Sequence, residues 1–133
     1  MEQLKNYHSH REIKFRLWDF EKKKMIYPSL SHNEKYVLQL NCEYMGKFNG
    51  KTYDPVKIPK MQFTGMLDKE GKEIFEGDII NLGDRCYKIV YSNNTASFMR
   101  ETLSAWLTYS LNEKECREDF EVIGNIYQNP EFQ

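Results

Sequence analysis

The sequence predicts a mainly β protein: a small, partly open barrel over about residues 61–128, a β-rich N-terminal lobe before it, and one short helix. Three observations lead there. Nine Tyr, eight Phe and two Trp stand among 133 residues, and aromatic side chains favour pleated, half-buried surfaces. Short apolar runs follow one another at spacings of roughly 8 to 12 residues, punctuated by Gly, Asp and Asn, which is the pattern of a small all-β domain. Within the most patterned stretch, Met61–Tyr91, Gly65, Gly71, Gly77 and Gly83 recur every six residues, each near an expected bend. Barrel closure would also hide strand edges that so aromatic a sheet cannot safely expose.

In chain order, residues 1–10 are polar, lack periodicity and read as a flexible tail. His8 and His10 are spaced to share a metal on a strand, but no third ligand accompanies them, so no metal is expected. The N-terminal lobe takes residues 11–60. Its first element is Ile13–Trp18, where Ile13, Phe15 and Leu17 alternate with Lys14, Arg16 and Trp18 at the period of a half-buried strand. The chain then turns through a solvated Lys22–Lys24 tip, and Met25–Tyr27 pairs back before Pro28. Glu34–Leu40 reads as a strand, with one helical turn capped by Ser31 or Asn33 as the alternative. Asn41–Pro59 is an irregular excursion, with Asn49–Gly50 placed as a hairpin turn between Tyr44–Phe48 and Lys51–Tyr53.

The barrel domain takes residues 61–133. A turn at Asp68–Gly71 links its first two strands, Glu76–Asp78 bends the chain before Ile79, and Gly83–Asp84 bends it before Cys86–Tyr91. Asp68 and Asp78 are expected to bond the backbone of their own turns. Asn93–Asn94 leads into a strand at Ala96–Met99, and Leu103–Leu111 fits a further strand. Asn112 followed by Glu115 is a helix-start signal. Phe120–Tyr127 is the last strand, ended by Asn129–Pro130.

Composition and motifs exclude more than they select. No apolar run approaches the roughly 20 residues of a membrane-spanning helix. The polar N-terminus has no apolar core of a signal peptide, so a cytoplasmic protein is expected. Cys42, Cys86 and Cys116 are odd in number and far apart, which fits neither a disulfide framework nor a metal site. GKFNGKT at Gly46–Thr52 is one residue short of a phosphate loop and leads into Tyr-Asp-Pro, not a helix. Counted from Asp68, a calcium loop would need Gly and Glu where Glu73 and Ile79 stand. No nucleophile motif is present, and Glu118 and Asp119 are adjacent, so on a strand they would face opposite ways. No catalytic residue, metal or cofactor is therefore expected.

REIKFRLWD at Arg11–Asp19, KKM at Lys23–Met25, MQFTGMLDKEGKEIFEGDII at Met61–Ile80 and FEVIGNIYQNPEF at Phe120–Phe132 together resemble the YopX family of phage and prophage proteins. The resemblance implies a C-terminal SH3-like barrel and a phage or prophage origin. It brings no catalytic residues to carry over. Residues 29–59 match no pattern of that family.

Binding is what these residues leave. Residues 1–60 carry a net +5 and residues 61–133 a net −6. Lys14, Arg16 and Trp18 share one face of the first strand, so they are the candidate contacts for a partner, whether a host or phage protein or nucleic acid. The bland reading is the solvent side of an edge strand, guarded by lysine. A protein partner is favoured, since the acidic half would repel a nucleic-acid backbone; self-association is open.

Overall fold

A computed structural model of the chain describes residues 12–27, 46–48, 51–53 and 58–132. The predicted Glu34–Leu40 strand, the His8–His10 pair, Cys42 and the turn at Asn49–Gly50 lie outside them. The architecture is mainly β, with two antiparallel sheets, one of them curled as a half-barrel, and a short helix.

The first sheet has the order β2-β1-β5-β6, from β1 (Phe15–Asp19), β2 (Lys24–Ile26), β5 (Lys60–Leu67) and β6 (Glu73–Phe75). β3 (Gly46–Phe48) and β4 (Lys51–Tyr53) form a separate antiparallel pair with Phe48 opposite Lys51. The second sheet has the order β10-β9-β8-β7-β11. Its strands are β7 (Asp78–Leu82), β8 (Arg85–Ser92), β9 (Ser97–Thr102), β10 (Thr108–Ser110) and β11 (Glu121–Asn125). The helix, α1 (Glu113–Asp119), starts where the sequence signal put it: Asn112 accepts the Glu115 N–H at 3.1 Å as its cap.

The β1–β2 hairpin forms with Leu17 opposite Ile26, and its lysine tip is exposed. β1 then lies between β2 and β5, with Arg16 opposite Met61. The boundary expected at residues 60/61 therefore falls inside a sheet, because β5 takes up the N-terminal strand as its neighbour. Further on, the strand expected over Leu103–Leu111 is corrected to a turn and the three-residue β10. Trp106 takes a left-handed conformation at φ 59°, which no extended strand accommodates.

The buried core joins Ile74 of β6, Ile80 of β7, Tyr87 and Ile89 of β8, Cys116 and Phe120 around α1, and Val122 of β11, with Met66, Leu82 and Leu111 packed against it. Burying aliphatic and aromatic side chains of this size stabilises a fold by about 1.5–3 kcal/mol each. Gly65, Gly71, Gly77 and Gly83 all have positive φ. Gly65 does so within β5, where the register with β6 shifts between Phe63 and Leu67, so it marks a strand irregularity instead of a turn. Gly77 carries the larger demand. Its φ is +85°, a Cβ there would stand 3.2 Å from Met61 Sδ, and its N–H and C=O are engaged by Ile89 and Ile126.

Candidate functional site

The three residues singled out at the first strand, Lys14 just before β1 and Arg16 and Trp18 within it, do not share an open face. β1 is an interior strand, paired along both edges, and both of its faces are covered, since the alternating Arg16, Leu17 and Trp18 are all buried. Arg16 Nη2 donates to Asp78 Oδ1 at 2.7 Å and to Glu76 O at 3.2 Å, while its guanidinium lies 4.7 Å above the Phe75 ring. Asp78 Oδ2 accepts the Phe75 N–H at 2.7 Å. The aspartate expected to serve only its own turn thus also ties the first sheet to the second. Burial pushes the Asp78 carboxyl above its ordinary range, against the downward pull of Arg16 and the Phe75 N–H. Lys14 is half-buried, pairs with Glu73 and with Glu12, and stands 4.9 Å from the centre of the Phe63 ring. The edge-strand reading is corrected accordingly: β1 is paired on both sides, Arg16 is held by Asp78 and Glu76, and Trp18 is packed against Tyr127.

Asp68 is the second tying carboxylate. Its Oδ1 accepts the Glu70 and Lys72 N–H groups at 2.9 and 2.8 Å, closing its turn, and its Oδ2 accepts the Val122 N–H at 2.9 Å. One buried side chain thereby fastens the β5–β6 turn to β11. Charge-assisted bonds of this kind are about twice as strong as neutral ones.

Beyond Trp18 the chain opens into a cleft of about 420 Å³ lined by Trp18, Phe20, Lys23, Tyr127, Gln128 and Pro130. Trp18 and Tyr127 stack with centroids 5.8 Å apart, and Phe20 meets Tyr127 edge-on at 6.1 Å. Phe20 is 60% exposed. Two local devices hold the walls. Asp19 Oδ1 accepts the Glu21 and Lys22 N–H groups at 2.9 and 3.1 Å, fixing the hairpin that presents Phe20. On the opposite wall, Asn125 Oδ1 accepts the N–H groups of Tyr127 and Gln128 at 3.0 and 2.9 Å, and Asn129 Oδ1 accepts the Asn125 N–H at 3.1 Å. A Cβ on Gly124 would collide with Asn129 Oδ1, which explains the glycine in GNIYQNP. Sequence reasoning read this segment as a strand end. Its two asparagines, spaced four apart beside an aromatic, were the available signal for a built turn.

A second depression, about 490 Å³, lies between β9, β10 and α1 and includes Arg100, Tyr109, Ser110, Asn112 and Glu115 in its lining. Arg100 stands over three rings, Tyr87 at 4.7 Å, Tyr109 at 5.0 Å and Phe120 at 5.3 Å, and reaches Glu115 at 3.4 Å. Below it, burial pushes the Cys116 thiol up to about 11, with the neighbouring Glu115 adding to the effect. Such a thiol is a poor nucleophile at neutral pH. Among the described residues no three His, Cys, Asp or Glu side chains are grouped to hold a metal. No helix among them is long and apolar enough to cross a membrane.

Comparison with solved structures returns the same architecture. The crystal structure of protein EF1440 from Enterococcus faecalis superposes with a TM-score of 0.61 at 24% identity, covering 90% of this chain and 96% of that one. Likeness at that identity speaks for the fold. Comparison with curated proteins gives no match. The family model described as YopX protein matches residues 14–132, a span running from Lys14 on the approach to β1 to the closing turn at Phe132. The chain therefore belongs to the YopX family.

Proposed function

We propose that the protein is a non-enzymatic binding module, a small cytoplasmic accessory protein of a phage or prophage, whose partner is another protein of the phage or its host. The observation that carries this reading is the aromatic cleft. It combines an exposed Phe20 ring, the stacked Trp18–Tyr127 pair and Pro130 on walls held by partly buried hydrogen bonds. A concave apolar site with few fixed polar groups binds side chains, and aromatics dominate such contacts. Lys23 lines the cleft, and Lys22 and Lys24 on either side of Lys23 in the chain are exposed. The segment that fits is therefore apolar or proline-bearing at its centre and acidic at its flank, held in extended form. The phage setting rests on the family resemblance.

The test is affinity capture from cells induced for the prophage, run in parallel with wild type and Phe20→Ala. A specific protein retained by wild type and lost by the variant, with an unchanged melting temperature, supports the reading. Recovery of the same proteins by both would refute it. Gel shift with single-stranded DNA and RNA at low salt is the second arm. Retardation that disappears on Lys22→Ala, Lys23→Ala, Lys24→Ala would replace the protein partner with nucleic acid.

A further inference from the structure

We infer that the protein self-associates through β10, whose free edge pairs antiparallel with the same strand of a second copy across a two-fold axis. The two larger sheets have four edges, and three are blunted. β2 carries the exposed lysine run beside it. At β6, the Phe75 N–H is taken by Asp78. At β11, the Val122 and Asn125 N–H groups are taken by Asp68 and Asn129. Among the described residues β10 has no such cover. All three of its residues are exposed, and it contains neither a charged residue nor a proline. Natural edges left in this state invite another strand.

Its hydrogen-bonding geometry fixes the register. Thr102 N donates to Leu107 O at 2.8 Å, so Leu107 is bonded to β9. Alternation along an antiparallel ladder then turns Tyr109 toward β9 and points the N–H and C=O of Thr108 and Ser110 outward. Two copies related by a two-fold axis at Tyr109 place Thr108 of each opposite Ser110 of the other, which satisfies all four outward groups on each copy at once. An isologous contact of this kind is self-complementary by construction.

Charge selects a second copy as the occupant. Thr102–Asn112 contains no Lys, Arg, Asp or Glu, in a chain that is 29% charged. A surface meeting its own image must avoid like charges, and this one holds none. Trp106 at 78% exposure and Leu107 at 55% flank the strand, supplying apolar area that a three-residue ladder lacks by itself.

Sedimentation equilibrium on the full chain tests the pairing. Wild type is expected to dimerise at micromolar concentration. T108E/S110E sets glutamates opposite each other at both ladder pairs and is expected to raise the dissociation constant about tenfold or more. T108K/S110E sets lysine opposite glutamate and is expected to restore the dimer. Should either double variant fail to melt cooperatively, Thr108→Pro removes one outward donor without touching the β9 ladder and should weaken the dimer likewise. A monomeric wild type, a dimer indifferent to T108E/S110E, or a T108K/S110E chain that stays monomeric would each overturn the inference.

Discussion

Arg16 and Arg100 use the same side chain, the same aromatic backing and the same kind of partner, yet they sit in different solvents. Arg16 and Asp78 have side chains only 4% and 2% exposed, with 2.7 Å between nitrogen and oxygen. Arg100 and Glu115 are 14% and 38% exposed, and 3.4 Å apart. The first pair has left water, so each charge depends on the other for what hydration no longer supplies. The second keeps a hydrated carboxylate, and Arg100 is held chiefly by the three rings beneath it. Both leave the guanidinium Nε without a hydrogen-bond partner among the described residues. The lesson is that an arginine's worth to a fold is set by what its partner loses when it goes.

The sharpest way to break the comparison is to remove Arg16. Arg16→Ala leaves the Asp78 carboxylate buried, with the Phe75 N–H as the one hydrogen-bond donor to that side chain among the described residues, and is expected to destabilise the fold by about 3–5 kcal/mol in denaturant unfolding. Replacing both partners, as in Arg16→Met with Asp78→Leu, removes the orphaned charge and should recover a large part of that loss. A loss for Arg16→Ala below about 1 kcal/mol would mean that water reaches Asp78 and that the joint is not dry.

Arg100→Ala is the matched change and should cost less, about 1–2 kcal/mol, from lost ring contacts and covered apolar surface. Glu115→Gln should cost under about 0.5 kcal/mol, since a partly hydrated ion pair contributes little. Equal losses for Arg100→Ala and Glu115→Gln would show that the pair, not the rings, holds this arginine.

The same contrast explains what could be read from the sequence. The lysine-tipped hairpin, the Asn112 cap and the bends at Gly71, Gly77 and Gly83 are local, and local chemistry writes them in a few neighbouring residues. Arg16 and Asp78 are 62 positions apart, and nothing near either names the other. An alternating strand looks the same whether it lies at an edge or between two neighbours. So IKFRLW revealed a strand but not its depth, and its cationic and aromatic residues looked like a surface. The cleft was hidden for the same reason, since Trp18 and Tyr127 meet only after the chain has closed. The charge-free run at Thr102–Asn112 was visible throughout, but its meaning depends on knowing that β10 is an edge.

The smallest expected effect lies beneath Arg100. The Cys116 thiol is pushed up to about 11 from an ordinary value of 9.0, by burial first and then by Glu115, while Arg100 pulls it down. The folded state therefore holds the thiol proton more tightly than the unfolded chain does. Its contribution to stability is complete below about pH 9 and is lost as the pH climbs toward 11. In a Cys42→Ser background, a thiol reagent at pH 8 should modify half-buried Cys86 readily and Cys116 only at the rate of global unfolding. Removing Arg100 takes away a cation that favours the thiolate, but it also opens the cover over the helix. Arg100→Ala should thus speed Cys116 labelling at pH 8 through easier opening, and the gain should vanish when rates are divided by the measured unfolding equilibrium. A gain that survives that correction would place Cys116 within reach of solvent in the native fold, and the Arg100 region would then be a lid over a reactive thiol instead of a packed joint.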